Sequence, residues 1–300
     1  MIIELKKYLP AALYNPVRKI YRKYNEILMK TANLKKITYG GVIIDVPKNH
    51  IVLTSEATQP YREIGLVVSA RFLGAKYPNK VIIDIGANIG DTGVLIASQC
   101  ANELILVEPS EYFYKILSRN ISKIRNKYSL HKCLVGDGDG VGGSLIHVGS
   151  TAFFQPSIDS AKIETKKIES LTSSAPCFVK IDTDGFDFTI IKSNFKYFEK
   201  YRPAIYFENT IRSNQDLVEA EELFGQLVKS GYNFFSIWDD AGFHIACTSD
   251  VEVIYSLNRY LCKLWITKDV CKSISNFDVL ALHKIDADVY RDINRHFISY

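Results

Sequence analysis

Val81-Ile82-Ile83-Asp84-Ile85-Gly86-Ala87-Asn88-Ile89-Gly90-Asp91-Thr92 runs from an apolar segment interrupted only by an acid, through a turn punctuated by two glycines, into a second apolar run from Gly93 to Ala97. Apolar residues on successive positions, rather than alternate ones, indicate a strand covered on both faces, and Asp91 or Thr92 suits the opening of a helix. Strand, tight turn and helix in that order form the first βα unit of a doubly wound α/β fold. Gly86 and Gly90 would allow backbone to approach a ligand closely.

Further along the chain, apolar runs alternate with helical stretches, the pattern of a parallel sheet with crossover helices. The sheet strands are expected at 81–85, 104–108, 132–135, 178–182, 204–208, 234–238 and 279–283, giving a seven-stranded, mostly parallel sheet. Before the sheet, the segments 37–39, 42–46 and 51–53 read as short strands separated by Gly40, Gly41, Pro47 and Asn49, and 61–73 reads as an amphipathic helix. The expected division is an extension over 1–75, comprising a basic helix and a small β/α unit, and a main domain over 76–300.

With 47% hydrophobic and 23% charged residues in 300, the composition is that of a folded globular chain. No run is long and apolar enough to span a bilayer, and a net charge of +4 is too small and too mixed for a general nucleic-acid binder. The six cysteines lack CxxC or metal-ligand spacing and are expected to be reduced thiols; with no secretory signal at the amino terminus, the expected compartment is the cytoplasm. Residues 1–36 carry nine Lys and Arg against two acids. Asn15-Pro16 opens a helix with an apolar stripe and a basic face, Arg18, Lys19, Arg22 and Lys23. A helix docked on the main domain with a solvated basic face is favoured; the alternative is peripheral contact of 15–32 with an anionic membrane surface.

The glycine turn separates two ligand classes. A dinucleotide site wants G-x-G-x-x-G facing a pyrophosphate, whereas here Asn88 replaces the second glycine and Asp84 stands two residues before the first. An acid there repels phosphate and suits a ligand carrying an ammonium and a sulfonium, the charge distribution of S-adenosylmethionine. Glu108 closes the next strand, 24 residues after Asp84, where a carboxylate accepts hydrogen bonds from ribose hydroxyls. Asp137, beyond the third strand, is a candidate for the adenine amino group. The principal rival on the same architecture is an oxidoreductase holding a nicotinamide cofactor, disfavoured by the missing glycine.

The chain resembles the FkbM-type S-adenosylmethionine-dependent methyltransferases in DIGANIGDT (84–92), VEPS (107–110), the helix ending in Asn120, VKIDTDGFDF (179–188) and RPAIYFEN (202–209), in the correct order. The resemblance implies a Rossmann-like class I methyltransferase fold, with cofactor contacts from Asp84, Gly86, Ala87, Asn88, Gly90 and Glu108. It also implies methylation of a hydroxyl, often on a sugar of a surface glycan or on a natural product. One departure is Asp184, where the family often has the longer Glu.

Ligands of open α/β sheets bind beyond the carboxyl ends of the strands, which makes Asp182, Asp184 and Glu208 the catalytic candidates. One of these carboxylates would remove the hydroxyl proton, with Lys180 as an ion-pair support. In a rival arrangement Asp182, Glu208 and Asn209 would hold a divalent cation such as Mg²⁺ against the acceptor. The six histidines show no metal-ligand spacing; His244, in an expected hairpin over the acceptor, is the one considered as a base. A third reading, a catalytically silent scaffold acting through its basic amino-terminal helix, would not depend on Asp182 or Glu208.

Overall fold

The computed structural model describes residues 34–54, 59, 61–156, 162–267 and 274–298. The expected basic helix over 15–32, and with it the membrane-contact reading, lies outside the described residues. A hairpin of β1 (Leu34–Tyr39) and β2 (Val42–Pro47) comes first, followed by α1 (Ile64–Lys76), β3 (Val81–Ile85), α2 (Asp91–Gln99), β4 (Leu104–Val107), α3 (Glu111–Ile121) and β5 (Tyr128–His131). The short strand β6 (Leu134–Val135) then leads to a second hairpin, β7 (Val141–Val148) and β8 (Thr151–Pro156), and to the short strands β9 (Lys162–Ile163) and β10 (Thr165–Lys166). The remaining elements are β11 (Pro176–Ile181), α4 (Asp187–Ser193), α5 (Phe195–Tyr201), β12 (Ala204–Asn209), α6 (Asn214–Lys229), β13 (Tyr232–Asp239), β14 (His244–Thr248), α7 (Val251–Ile266), β15 (Phe277–His283) and α8 (Ala287–Ile298).

The main sheet has the order β14-β13-β15-β12-β11-β3-β4-β5. The central strands pair in parallel, whereas β15 runs antiparallel between β12 and β13. This is the mostly parallel, Rossmann-like sheet expected from the sequence, with an eighth strand, β14, added by a hairpin at one edge.

Alternation along β3 explains the layering. Val81, Ile83 and Ile85 enter one apolar core, together with α4 to α7, while Ile82 enters another built with α1, α2, α3 and α8. The described part of the amino-terminal extension shares that second core: Ile44 and Val46 of β2 and Leu66 of α1 pack with Ile82 and Leu104. Asn120, fully buried near the end of α3, joins these parts. Its Nδ2 donates to the carbonyls of Asp45 (2.9 Å) and Ile89 (2.8 Å), and its Oδ1 accepts from the Asp45 amide (2.7 Å). Asn120→Leu strands three buried backbone groups and is expected to cost about 3 kcal/mol of stability. Urea denaturation checks this, and a loss indistinguishable from that of an exposed control on α3 would contradict it.

Two expected strands are corrected. The third sheet strand is Tyr128–His131, not 132–135. An edge strand tolerates its half-exposed polar residues, and the apolar run Cys133-Leu134-Val135 instead walls a cavity. Residues 51–53, expected as a strand, belong to a turn with helical residues 52–54, closed by His50 N–H to the Pro47 carbonyl and Leu53 N–H to the His50 carbonyl.

Candidate active site

Two cavities open at the carboxyl ends of the central strands and share a wall of Gly86, Asn88, Asp182 and Asp184. The turn after β3 makes that wall. Gly86 (φ 83°) and Asn88 (φ 48°) adopt left-handed backbone, and a Cβ on Gly86 would lie 1.8 Å from the Asp182 carbonyl oxygen, so only glycine lets the two strand ends meet. Gly90 (φ 86°) caps α2 against Leu117 and Ile121; it lines neither cavity, and neither does the buried Ala87.

The first cavity, about 280 Å³, is mostly apolar, walled by Val107, Pro109, Phe113, Val135, Leu145 and Phe154, with Glu108 and Asp137 as acids besides the shared Asp182 and Asp184. Glu108 is buried and accepts from the backbone amides of Asn88 (3.0 Å) and Ser110 (2.7 Å). Burial raises its pKa to about 8 despite those two amides. The hairpin β7–β8 covers this cavity. Asn88 Nδ2 donates to the Ser150 carbonyl (2.8 Å), and Ser110 Oγ lies 2.6 Å from His147 Nε2. Apolar walls suit a base, and the carboxyl oxygens of Glu108 can accept from a sugar diol, so the lining fits an adenosine group.

The second cavity, about 440 Å³, is lined by acids: Glu63, Asp91, Asp182, Asp184 and Glu208, with Arg62, Lys180 and His50. Parallel register sets Lys180 beside Asp84 on the same face of the sheet. The ammonium, 2% exposed, pairs with Asp84 (3.1 Å) and with the half-exposed Asp182 (3.4 Å). Burial alone would lower the Lys180 pKa; the charges of Asp84, Asp182 and Glu63 outweigh it and hold Lys180 protonated. Asp84 also accepts from Thr92 Oγ1 (2.7 Å) and lines neither cavity. Asp84, expected to contact the ligand directly, lies beneath Lys180 on the same face of the sheet and anchors both Lys180 and the start of α2.

Beyond β11 the chain reverses through Asp184 (φ 54°) and Gly185 (φ 105°). Asp187 fastens this turn, accepting from Thr183 N (3.1 Å) and Thr183 Oγ1 (2.8 Å) and from the Glu208 amide (3.2 Å). Burial, reinforced by Asp182 and Glu208, raises the Asp184 pKa to about 7. Burial and the neighbouring Asp182 raise Glu208 likewise to about 7. Burial raises Glu63 to about 7 and Asp91 to about 6. His50 is buried and held neutral, its pKa lowered to about 4 by burial. Its Nε2 faces Asn88 Oδ1 (3.3 Å), and its Nδ1 accepts from Val52 N–H (3.4 Å).

Of the expected residues, the folded chain brings Gly86, Asn88, Glu108 and Asp137 to the first cavity, and Asp182, Asp184 and Glu208 to the second. The proposed cation set is not assembled. Asn209 neighbours Glu208 on a strand and so faces the opposite side of the sheet, where its Nδ2 donates to Asn258 Oδ1 of α7 (2.6 Å). With Asn209 turned away, the three expected ligands do not fit the divalent cation as a set, and among the described residues no group of three or more His, Cys, Asp and Glu could hold a metal ion. His244 is also corrected: it stacks on Phe297 (4.6 Å between centroids) beside Trp238, away from both cavities. His50, Arg62 and Glu63, contributed by the extension, were not singled out from sequence; no local pattern marks them, because the packing of the hairpin and α1 brings them in.

The family model described as the methyltransferase FkbM domain matches residues 84–234. Among solved structures, the chain is similar to methyltransferase FkbM from Methylobacillus flagellatus KT, at 16% identity and a TM-score of 0.34, covering 68% of this chain and 43% of that one. The chain therefore spans less than half the length of that protein. It is also similar to precorrin-6y C5,15-methyltransferase from Geobacter metallireducens GS-15 (12% identity, TM-score 0.36, 72% and 87% covered). A further likeness is to the plantazolicin methyltransferase BpumL in complex with a triazolic desmethylPZN analogue and SAH (12% identity, TM-score 0.41, 78% and 90% covered). No curated protein matches the chain. Among the described residues no helix is long and apolar enough to cross a membrane.

Proposed function

Because this chain belongs to the FkbM methyltransferase family, its matched segment covering just over half of the sequence, we propose that it is an S-adenosylmethionine-dependent O-methyltransferase acting on a sugar hydroxyl of a surface glycan or its precursor. The observation that carries this reading is the shared wall. A mostly apolar cavity and an acid-lined cavity meet at Asp182 and Asp184, so a donor in one and a hydroxyl in the other would come together beside a carboxylate. Glu108 and the apolar walls would hold the adenosine, and Gly86 and Asn88 the turn beneath it.

When bound, S-adenosylmethionine would supply an electrophilic sulfonium methyl group, with a neutral thioether as the leaving group. This chain's residues orient the acceptor and receive its proton. Asp184 is assigned as the base because it lines both cavities, whereas Glu208 lines only the second. Asp182 is committed to Lys180. Several carboxylates in one cavity also offer acceptors for multiple hydroxyls, which suits a sugar.

Incubation with methyl-labelled S-adenosylmethionine and fractionated glycans or nucleotide sugars tests the assignment; label confined to protein or appearing on no saccharide would overturn it. The pH dependence follows from the base. Asp184 acts when deprotonated, so kcat/KM should be low below pH 6 and rise through about 7 to a plateau. Glu208 titrates in the same range, and the two steps belong to the pair. Glu208→Gln removes one neighbouring negative charge and is expected to move the rise towards acid. A profile flat from pH 5 to 8 would exclude a carboxylate base of this kind.

A further inference from the structure

We infer that the acceptor extends beyond the sugar being methylated, and that Tyr61 and Phe243 form an aromatic subsite for the next sugar unit at the rim of the acid-lined cavity. The inference rests on the sugar-acceptor reading above and adds acceptor length to it.

The turn preceding α1 walls the cavity with Gln59, Arg62, Glu63 and Ile64. Tyr61, in the same turn, lies outside that wall and is 55% exposed. Phe243, at the tip of the β13–β14 hairpin, is 60% exposed, and the ring centroids are 6.0 Å apart with planes inclined by 50°. Both rings thus keep most of their surface in water beside a polar cavity.

Their placement is fixed by the backbone. Asp239 Oδ1 accepts from Ala241 N (3.0 Å) and Phe243 N (2.8 Å), and the Asp239 amide donates to the Phe243 carbonyl (3.0 Å). Gly242, at φ 89°, packs so tightly that an added Cβ would lie 1.9 Å from the Tyr61 carbonyl oxygen. The hairpin tip is therefore held against the turn that carries Tyr61, so the backbone keeps the two rings together and less order has to be imposed on binding.

A pyranose offers a matching surface. Its ring C–H bonds carry partial positive charge and lie over the negative face of an aromatic ring, while its hydroxyls remain at the edge for polar groups. At this rim the nearest cavity-lining polar groups are Gln59 and Arg62. Because Arg62 and Glu63, the residues following Tyr61, wall the cavity, the occupant of the aromatic pair would be the unit adjoining the methylated sugar. Two ring contacts of ordinary aromatic strength correspond to about tenfold in affinity.

The test compares KM for gluco-, galacto-, manno- and rhamno-configured monosaccharides and their trisaccharides, with octyl glycosides of the same monosaccharides as a further arm. For whichever configuration is methylated, the trisaccharide should show a KM about tenfold below the monosaccharide. Tyr61→Ser and Phe243→Ser should each shrink that ratio, and Tyr260→Ser, an exposed aromatic on α7, should leave it intact. Equal KM for monosaccharide and trisaccharide, or a ratio untouched by both rim variants, overturns the subsite. An octyl glycoside that gains as much as the trisaccharide also overturns it, since the occupant would then be an apolar aglycone. If S-adenosylmethionine binds yet no saccharide is methylated, the acceptor reading itself fails and the subsite with it.

Discussion

Asp184→Asn is expected to lower kcat for methyl transfer by about 10²–10⁴-fold, the contribution of a positioned general base. Affinity for S-adenosylmethionine should remain near that of the wild type. The substitution keeps the shape of the side chain and removes only its capacity to take a proton. It also respects the backbone, because Asp184 sits at φ 54° and Asn is among the side chains that tolerate left-handed conformation. The folded state is therefore expected to survive, and circular dichroism with a cofactor titration separates a catalytic defect from a structural one. Asp184→Ala should be equally slow. Asp184→Glu, which restores the family's longer acid, should keep part of the activity with altered KM for the acceptor. An Asp184→Asn enzyme retaining more than about a tenth of wild-type kcat would remove this carboxylate as the base, since the loss would fall below the smallest effect expected of one.

The second large effect concerns stability. Lys180→Met is expected to cost about 3–5 kcal/mol, because it leaves the carboxylate of Asp84 buried beside Ile82 and Leu106 without its cation. Thr92 continues to donate one hydrogen bond, which is too little to offset a desolvated charge. The double variant Asp84→Asn with Lys180→Met should recover much of the loss, since neither side chain then carries charge in the core. Guanidinium denaturation of the two single variants and the double variant measures the coupling directly. If the double variant is as unstable as Lys180→Met, the penalty comes from packing and the electrostatic account is wrong. Because Asp84 ties the start of α2 to the sheet, the Lys180→Met protein is also expected to bind S-adenosylmethionine less tightly at temperatures where it is still folded.

Much of this architecture is legible in the sequence. β3, β4, β11, β12, β13 and β15 fall within two residues of the expected strands, because consecutive apolar residues in a strand covered on both faces leave a dense local signal. β5 was missed for the opposite reason: an edge strand needs no apolar run, and the run that does follow it serves a cavity wall. Helix α1 was expected over 61–73 and is found at Ile64–Lys76, since the first turn of that stretch is spent on walling the second cavity.

The site shows the same division. The order of DIGAN, VEPS and the KIDTDG segment determined by itself that a glycine turn, a strand-ending glutamate and an acid-bearing loop would gather at one end of the sheet, because parallel strands place all their carboxyl ends together. Sequence could not decide which of those acids would face a ligand. Asp84 and Glu208 read alike in the sequence and share a face of the sheet, yet Asp84 lies level with Lys180 in a buried pair, whereas Glu208 lies one step nearer the strand end on the cavity wall, and Asn209, one residue further, is turned to the far side of the sheet. His50, Arg62, Glu63 and the Tyr61–Phe243 pair reach the site through packing between segments far apart in the chain. Strand order and turn chemistry are local and survive in one dimension; the direction of a side chain relative to a cavity is a property of the assembled layers, and only the tertiary structure decides it.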